Sequence, residues 1–357
     1  MDALVRERAA QEAENDRPFE LGLMFSRRCN IECRHCGIES GPRNRSRMTL
    51  DFARDVIQQA AALPTKVRTI SFTGGEPFIY PKELEELLDL ANRSGLSTRV
   101  VTNGFWGRRR ATGTELLHRM RLAGLDTINF SADRYHLEFL EAAFLRQAID
   151  IAFEVGFVPI VNMTINAEGD PVEVFCSMYG IERGRVASFN EESYRQAVRA
   201  GTDLSHLDGK ILLTTGRLIA MGRSAQFPEE HFLSPLSSFP HGGCLEVVNR
   251  PVVYPDGDLM ACCCAGGKVA GFRVGSLYDA PLAELVGQMR TRSHFRFINQ
   301  FGPRMLFEAM SQMQGRPRGD HHASICDVCV SATKDIDPEK VDSLLEHWLV
   351  ERLVSQR

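Results

Sequence analysis

The sequence has no apolar run that approaches the roughly 18 residues of a membrane-spanning helix. Its first residues are polar and charged, and they contain no apolar segment of the kind found in signal peptides. Basic residues form one short run, Arg108–Arg110, and the net charge is −4 with both signs interspersed, so no nucleic-acid-binding surface is indicated. These absences predict a globular cytoplasmic protein with neither a membrane nor a nucleic acid as its partner.

Cysteine, in contrast, is abundant, with ten in 357 residues. In a chain expected to be cytoplasmic, many cysteines indicate metal ligands rather than disulfides. Cys29, Cys33 and Cys36 stand four and three residues apart. Each iron of a [4Fe–4S] cluster takes one outside ligand, so three thiolates would leave one iron open for a reactant. A structural zinc ion that takes His35 as its fourth ligand is the alternative.

Short apolar segments alternate with segments of helical periodicity along the first two thirds of the sequence. This alternation predicts parallel βαβ units, as in a barrel whose functional residues lie at the carboxyl ends of its strands. The predicted strands are Glu20–Ser26, Val67–Phe72, Ser97–Val101, Leu125–Phe130, Phe157–Ile165 and Ile211–Ala220. The predicted helices are Phe52–Leu63, Pro81–Arg93, Thr114–Ala123, His136–Val155, Val172–Met178 and Glu191–Ala200.

Glycines and polar residues follow several of these predicted strands. Gly74, Gly75 and Glu76 come after the second strand and Asn103 after the third. Ser131 ends the fourth strand. Such residues often serve only as turn formers and caps, but at strand ends we expect them to contact a ligand. Further candidates, on or after the remaining strands, are Asp133, Tyr135, His136, Asn162 and Arg223.

A second cysteine set lies in the last third of the sequence. Cys244 is followed by twelve residues, Gly257, four residues and Cys262, and Cys326 and Cys329 follow after a gap. Four thiolates at this spacing can hold a structural zinc ion.

A β-hairpin is predicted within this second set. Pro255–Asp258 is rich in turn-forming residues and separates two short apolar segments, Leu245–Val253 and Leu259–Cys262. Cys263 and Cys264 directly follow the second segment, so two thiols are placed next to a metal-ligand candidate.

The spacing of Cys29, Cys33 and Cys36, together with the loop Gly74–Pro77, resembles the signature of the radical S-adenosylmethionine (SAM) enzymes. The resemblance implies that SAM binds the open iron of a [4Fe–4S] cluster. One electron then cleaves SAM to a 5′-deoxyadenosyl radical, which takes hydrogen from a substrate. It also implies that Gly74–Pro77 contacts the amino group of SAM, that Ser131 contacts its ribose, and that a flavodoxin- or ferredoxin-type protein donates electrons. The remaining expected cofactor contacts are Asn103, Asn162 and Arg223.

The second cysteine set resembles the twitch domain, a shortened relative of the SPASM domain that follows some radical SAM barrels. The resemblance implies one auxiliary [4Fe–4S] cluster with Cys244, Cys262, Cys326 and Cys329 as ligands. We therefore predict an α/β fold, a partial (β/α)6 TIM-type barrel followed by a small cysteine-rich twitch-like α+β domain. The predicted boundaries are a lead-in over 1–18, the barrel over 19–226 with a helical insertion over 167–208, a linker over 227–240, the twitch-like domain over 241–335 and a closing helix over 336–357.

With this resemblance, we expect a maturase of ribosomally made peptides that acts at a backbone Cα–H, with epimerisation as the specific reaction. Epimerisation removes hydrogen from one face of Cα and returns it from the other, so a second hydrogen donor is needed. Cys263 and Cys264 are the candidates, and Cys263 points away from the cluster if Asp258–Cys264 is one strand. The short segment before the first strand leaves no room for a leader-recognition domain, so the barrel mouth or 167–208 would hold the peptide.

Two other functions remain open at this point. A small-molecule dehydrogenase, such as an aminocyclitol alcohol oxidase, would give the auxiliary cluster an electron to accept. A non-catalytic protein would use the clusters only as a scaffold, although the intact cysteine and glycine motifs argue against it.

Overall fold

The computed structural model describes residues 19–64, 67–165, 170–190, 193–194, 197, 200–231, 234–263, 269–314, 321–333 and 336–355. The predicted lead-in over 1–18 and most of the predicted helix Glu191–Ala200 lie outside these residues. Within the described residues, no helix is both long and apolar enough to cross a membrane.

The described residues form a mixed α/β fold around one ten-stranded sheet. Its strands are β1 Phe19–Ser26, β2 Val67–Gly74, β3 Ser97–Thr102, β4 Thr127–Ser131, β5 Ile160–Ile165, β6 Val186–Ser188, β7 Ile211–Arg217, β9 Val252–Val253, β10 Asp258–Met260 and β11 Arg273–Ser276; β8 Ser234–Pro235 and β12 His321–His322 pair separately. The spatial order is β11-β10-β9-β1-β2-β3-β4-β5-β7-β6, and every pair from β9 to β6 is parallel. This mostly parallel sheet is consistent with a partial TIM-type barrel and confirms the predicted fold class.

Helices connect the parallel strands and pack their apolar faces against the sheet. The first, Leu50–Ala62, buries Ala53, Val56, Ile57 and Ala60, which recur at the spacing of one helical face. Thr49 caps it by accepting a hydrogen bond from the main-chain N–H of Phe52 at 3.2 Å. The helices are α1 Leu50–Ala62, α2 Pro81–Arg93, α3 Arg110–Leu122, α4 Arg134–Leu137, α5 Ala142–Glu154, α6 Pro171–Tyr179, α7 Leu282–Thr291, α8 Ser293–Gln314 (kinked at Gly302), α9 Ile325–Thr333 and α10 Pro338–Ser355.

One predicted helix, His136–Val155, is wrong as a single element, because the chain forms α4 and α5 with a break between them. The Asp133 carboxylate accepts the main-chain N–H groups of Tyr135 and His136 and so starts a separate helix of one turn. Glu138 then leaves the helix and forms an ion pair with Arg34 at 2.8 Å.

The cysteine-rich region continues the barrel sheet. Val252 in β9 lies opposite Gly22 in β1, and a Cβ on Gly22 would lie 2.8 Å from the Val252 Cγ2. Glycine therefore permits the parallel contact that joins the two regions. The predicted hairpin is confirmed as β9 and β10, although both strands are shorter than predicted, and β11 adds a third antiparallel strand. The predicted domain boundaries stay predictions.

Candidate functional site

The three cysteines of the first motif lie in the loop that follows β1 at its carboxyl end. Cys29 and Cys33 are buried, and Cys36 is partly buried. The Arg223 guanidinium donates hydrogen bonds to the main-chain carbonyl oxygens of Cys33 at 2.9 Å and of Ser40 at 2.7 Å. In this structure Arg223 thus holds the cysteine loop in place, whereas its expected contact with SAM stays a prediction.

The three thiols of this loop have different proton affinities. Burial raises the pKa of Cys29 to about 12, with a smaller contribution from the nearby Glu76 carboxylate. The hydrogen bond between the Cys33 and Cys36 thiols lowers the pKa of Cys36 and raises that of Cys33. The main-chain N–H of Ser40 also donates to the Cys36 sulfur at 3.4 Å. The loop therefore stabilises a thiolate at Cys36, which is the form that binds metals.

Gly74 and Gly75 are required by the close approach of the loop after β2 to the start of the cysteine loop. The main-chain N–H of Gly75 donates to the carbonyl oxygen of Ser26 at 2.7 Å, and that of Glu76 donates to Arg28 at 2.9 Å. A Cβ on Gly74 would collide with the carbonyl group of Ser26, and one on Gly75 with that of Arg28. Gly74 also has a φ of +130°, which favours glycine. These glycines therefore position the cysteine loop against the second strand.

The Glu76 side chain is 1 % exposed and is fully engaged inside the protein. Its carboxylate accepts hydrogen bonds from the main-chain N–H groups of Phe78 at 3.1 Å and Asn103 at 2.7 Å, and from the Thr102 hydroxyl at 2.8 Å. Burial raises the pKa of Glu76 to about 7, although these hydrogen bonds oppose the shift. Glu76 therefore joins the ends of β2 and β3 beneath the cysteine loop.

Asn103, at the end of β3, contacts the cysteine loop, whereas Ser131 is connected to it only through a small cavity that both residues line. The Asn103 side-chain amide donates to the Asn30 carboxamide oxygen at 2.9 Å and lies 3.7 Å from the Cys29 sulfur. Ser131 lines a small cavity together with Asn103. Asn162 is the register partner of Ser131 in β5, but it lines a separate and larger cavity inside the sheet.

Two histidines and an aspartate form a buried cluster beside the cysteine loop. The Asp133 carboxylate lies 3.1 Å from the His35 Nε2 and 2.8 Å from the His136 Nδ1. Burial alone would raise the pKa of Asp133, but the hydrogen bonds from His136 and His35 outweigh it and lower that pKa. The His35 ring also stacks on Tyr135, with 4.6 Å between the ring centroids. The sequence suggested only a cap or a substrate contact for Asp133, since the contact with His35 depends on the fold.

The second cysteine set converges on one cavity of about 230 Å³. Two of the four cysteines belong to α9, one lies in the loop before β9, and one follows β10. The other walls are mainly apolar and include Val247, Phe272, Ile298 and Val330. The cysteines that line it are Cys244, Cys262, Cys326 and Cys329.

The two candidate hydrogen donors follow directly after this site. β10 ends at Met260, so the expected alternation of side chains along Asp258–Cys264 does not extend to Cys263. Cys263 is exposed. Cys264 lies outside the described residues. The donor role of both thiols stays a prediction.

Comparison with known proteins gives one family match and several distant relatives. Residues 23–169 match the family model of the Radical SAM superfamily. The putative peptide biosynthesis protein YydG of Bacillus subtilis (strain 168) is 31 % identical over 149 residues, which are 42 % of this chain and 46 % of that protein. Molybdenum cofactor biosynthesis protein 1 of Bos taurus is 25 % identical over 329 residues, which are 83 % of this chain and 49 % of that protein. The chain spans about half the length of the curated relatives it matches.

Among solved structures, BtrN in complex with AdoMet and 2-DOIA aligns with a TM-score of 0.46 and 12 % identity, covering 81 % of this chain and 90 % of that one. The cysteine loop and the Gly74–Pro77 loop both fall inside the family match, and both lie at the carboxyl ends of adjacent parallel strands. Residues 23–169, which hold both motifs, thus match the radical SAM superfamily.

Proposed function

We propose that this protein is a radical SAM enzyme that modifies a peptide at a backbone Cα–H, with epimerisation as the specific reaction. This proposal rests mainly on the loop of Cys29, Cys33 and Cys36. Arg223 and the Gly74–Pro77 loop hold this loop at the carboxyl end of the sheet. The similarity to YydG, a putative peptide biosynthesis protein, supports a peptide as the substrate.

The family match over residues 23–169 favours an iron–sulfur cluster over zinc at the first cysteine set. A zinc ion with Zn–S distances of about 2.3 Å brings its four sulfurs within about 3.8 Å of one another. Among the described residues, three metal-binding side chains have all their ligand atoms within 4.8 Å of one another in one place only. They are His35, Asp133 and His136. Among the described residues, therefore, no three cysteine sulfurs lie as close together as they would around a single zinc ion, although Cys33 and Cys36 form a hydrogen bond with each other.

The chain's own residues would hold and orient the cofactors. Cys29, Cys33 and Cys36 would bind a [4Fe–4S] cluster, and SAM bound there would supply the radical that takes a substrate hydrogen. Glu76 and Arg223 would act as positioning residues, because their hydrogen bonds are made to the surrounding loops. Asn103, Ser131 and the Gly74–Pro77 loop remain the proposed contacts of SAM itself.

The cavity between the remaining four cysteines would hold the auxiliary [4Fe–4S] cluster of a twitch-like domain. A volume of about 230 Å³ is several times what a single ion or water molecule occupies, roughly 30 Å³. Its apolar walls would keep water from the cluster. Four thiolates would complete the ligation, so this cluster would pass electrons or stabilise the fold without binding substrate.

The proposed reaction is tested with a peptide encoded beside the gene, co-expressed with the protein in heavy water. Epimerisation predicts an unchanged peptide mass apart from one solvent deuterium per modified residue, and Cys263→Ala or Cys264→Ala should reduce this uptake while SAM cleavage continues. A peptide two hydrogens lighter would contradict epimerisation and favour a dehydrogenase. Absence of 5′-deoxyadenosine with SAM and a flavodoxin- or ferredoxin-type reductant would favour a non-catalytic scaffold.

A further inference from the structure

The inner face of the barrel sheet lines a cavity of about 970 Å³, separate from both cysteine sites. Its walls include residues at the amino ends of the strands, such as Ser97, Thr127 and Ile160, and it extends to the middle of β4. The cysteine loop lies at the opposite, carboxyl end of β1. The volume is at the upper end of the range for small-molecule sites, about 300–1,000 Å³.

The walls of this cavity are unusually polar for the interior of a parallel barrel. Barrel interiors are typically filled by layers of branched apolar side chains. Here the inward positions of β2 to β7 include Thr69, Arg99, Asn129, Asn162 and Thr214. In β4 and β5, by contrast, the outward positions Ile128, Phe130, Val161 and Met163 are apolar and buried.

The charged side chains in the cavity pair with one another. Glu20 forms an ion pair with Arg99 and lies 3.8 Å from Arg250, which also pairs with Glu246 at 3.0 Å. The Asp126 carboxylate accepts the main-chain N–H of Thr98 at 2.9 Å. These pairs show that the cavity's acidic groups are engaged within the protein.

Asn129, by contrast, lines the cavity and has a polar side-chain atom without a hydrogen-bond partner. The residue is only 6 % exposed, and its side-chain oxygen is buried without a hydrogen-bond partner in the structure. Buried polar groups are almost always paired, since an unpaired one loses its hydrogen bonds to water. A carboxamide has one acceptor and one donor group, which is the same complement that a peptide unit offers. The unsatisfied oxygen therefore suits the main-chain N–H of a bound peptide.

The position of Asn129 connects this cavity to the cysteine loop. Ser131 lies two residues further along the same face of β4, about 7 Å away, in the small cavity that Asn103 also lines. Asn162 in β5 pairs in register with Ser131, so its carboxamide lies beside the same stretch of β4. A chain bound at Asn129 would thus extend toward the carboxyl end of the sheet.

We propose that Asn129, with Asn162 on the neighbouring strand, hydrogen-bonds the main chain of a peptide in this cavity, so that the peptide is selected there by its backbone amide. The inference rests on the proposed peptide-modifying function and adds the residues that recognise the substrate. It predicts tolerance of different side chains and intolerance of a methylated backbone nitrogen at this point.

The test uses two probes, hexaglycine and hexasarcosine, which have the same backbone but differ in the N–H groups. Each is titrated calorimetrically at millimolar concentration into the reconstituted protein with SAM and without reductant. Hexaglycine should bind and hexasarcosine should not. Asn129→Ala should weaken hexaglycine binding about tenfold, equivalent to about 1.4 kcal/mol, while Gly287→Ala, on helix α7 outside the cavity, should leave it unchanged.

A second variant separates recognition from a structural role. Asn129→Leu removes the unpaired oxygen but keeps the approximate volume, so it should keep or raise the melting temperature while hexaglycine binding is lost. A fall in melting temperature with unchanged binding would overturn the proposal, as would no binding of hexaglycine by the unmodified protein. If binding depends on Asn129 but no peptide supports 5′-deoxyadenosine formation, the proposed function fails and the recognition site stands.

Discussion

The two cysteine sites of this protein are built in opposite ways. Cys29, Cys33 and Cys36 lie within eight residues of one another, in a loop shaped by hydrogen bonds to its main chain. The other four cysteines come from three separate segments and meet in a mainly apolar cavity. A site with an incomplete ligand set, surrounded by polar groups, suits exchange of a ligand, whereas a complete set in an apolar cavity suits a permanent group. The first site thus depends on loop geometry and the second on packing.

The largest effect is expected from Gly75→Ala, which tests whether the first cysteine site needs the close contact between its loop and the loop after β2. Gly75→Ala places a methyl group against the carbonyl group of Arg28, so the loop after β2 has to move away from the cysteine loop. We expect a loss of about 4 kcal/mol or more in unfolding free energy, together with loss of iron from this site. Denaturant titration and iron analysis measure both.

Gly287→Ala in α7 is the matched control. A Cβ there meets nothing within 4 Å, and alanine favours a helix, so stability should stay equal or rise. If Gly75→Ala is as stable as Gly287→Ala and keeps its iron, the close approach of the two loops is not required.

A smaller effect is expected from Glu76, and it depends on pH. Because burial raises the pKa of Glu76 to about 7, from 4.5, its protonated form stabilises the folded state. This stability is fully present below about pH 4.5 and is lost as the pH rises through 7, by about 3 kcal/mol in total. Glu76→Gln resembles the protonated form and should lack this loss when unfolding of the cluster-free protein is followed from pH 4.5 to 8. Parallel curves for the two proteins would contradict the raised pKa.

The smallest effect concerns Asp133. Asp133→Asn keeps an oxygen to cap α4 but loses the charge that holds His35 and His136. We expect a loss of about 1–2 kcal/mol, because charged buried hydrogen bonds exceed neutral ones by about that amount. Glu138→Gln, which weakens an exposed ion pair with Arg34, should cost less than about 1 kcal/mol. Equal losses for the two variants would show that the buried cluster is no stronger than the surface pair.

The contrast between the two sites also explains what the sequence could predict. The first site was predictable because its cysteines and Gly74–Glu76 are contiguous motifs at the ends of clearly periodic strands. The strand Val186–Ser188 was missed because three residues carry no measurable periodicity. The loop-holding role of Arg223 and the unpaired Asn129 could not be predicted, since each depends on contacts with residues far away in the sequence.

The central claim is that the first cysteine set performs SAM cleavage while the second holds a separate cluster. The direct measurement is iron content and 5′-deoxyadenosine formation in two variants of the reconstituted protein, one with Cys29, Cys33 and Cys36 replaced by Ala and one with Cys326 and Cys329 replaced by Ala. The unmodified protein should bind about eight irons and each variant about four. The first variant should form no 5′-deoxyadenosine and the second should still form it. Formation of 5′-deoxyadenosine by the first variant would contradict the account.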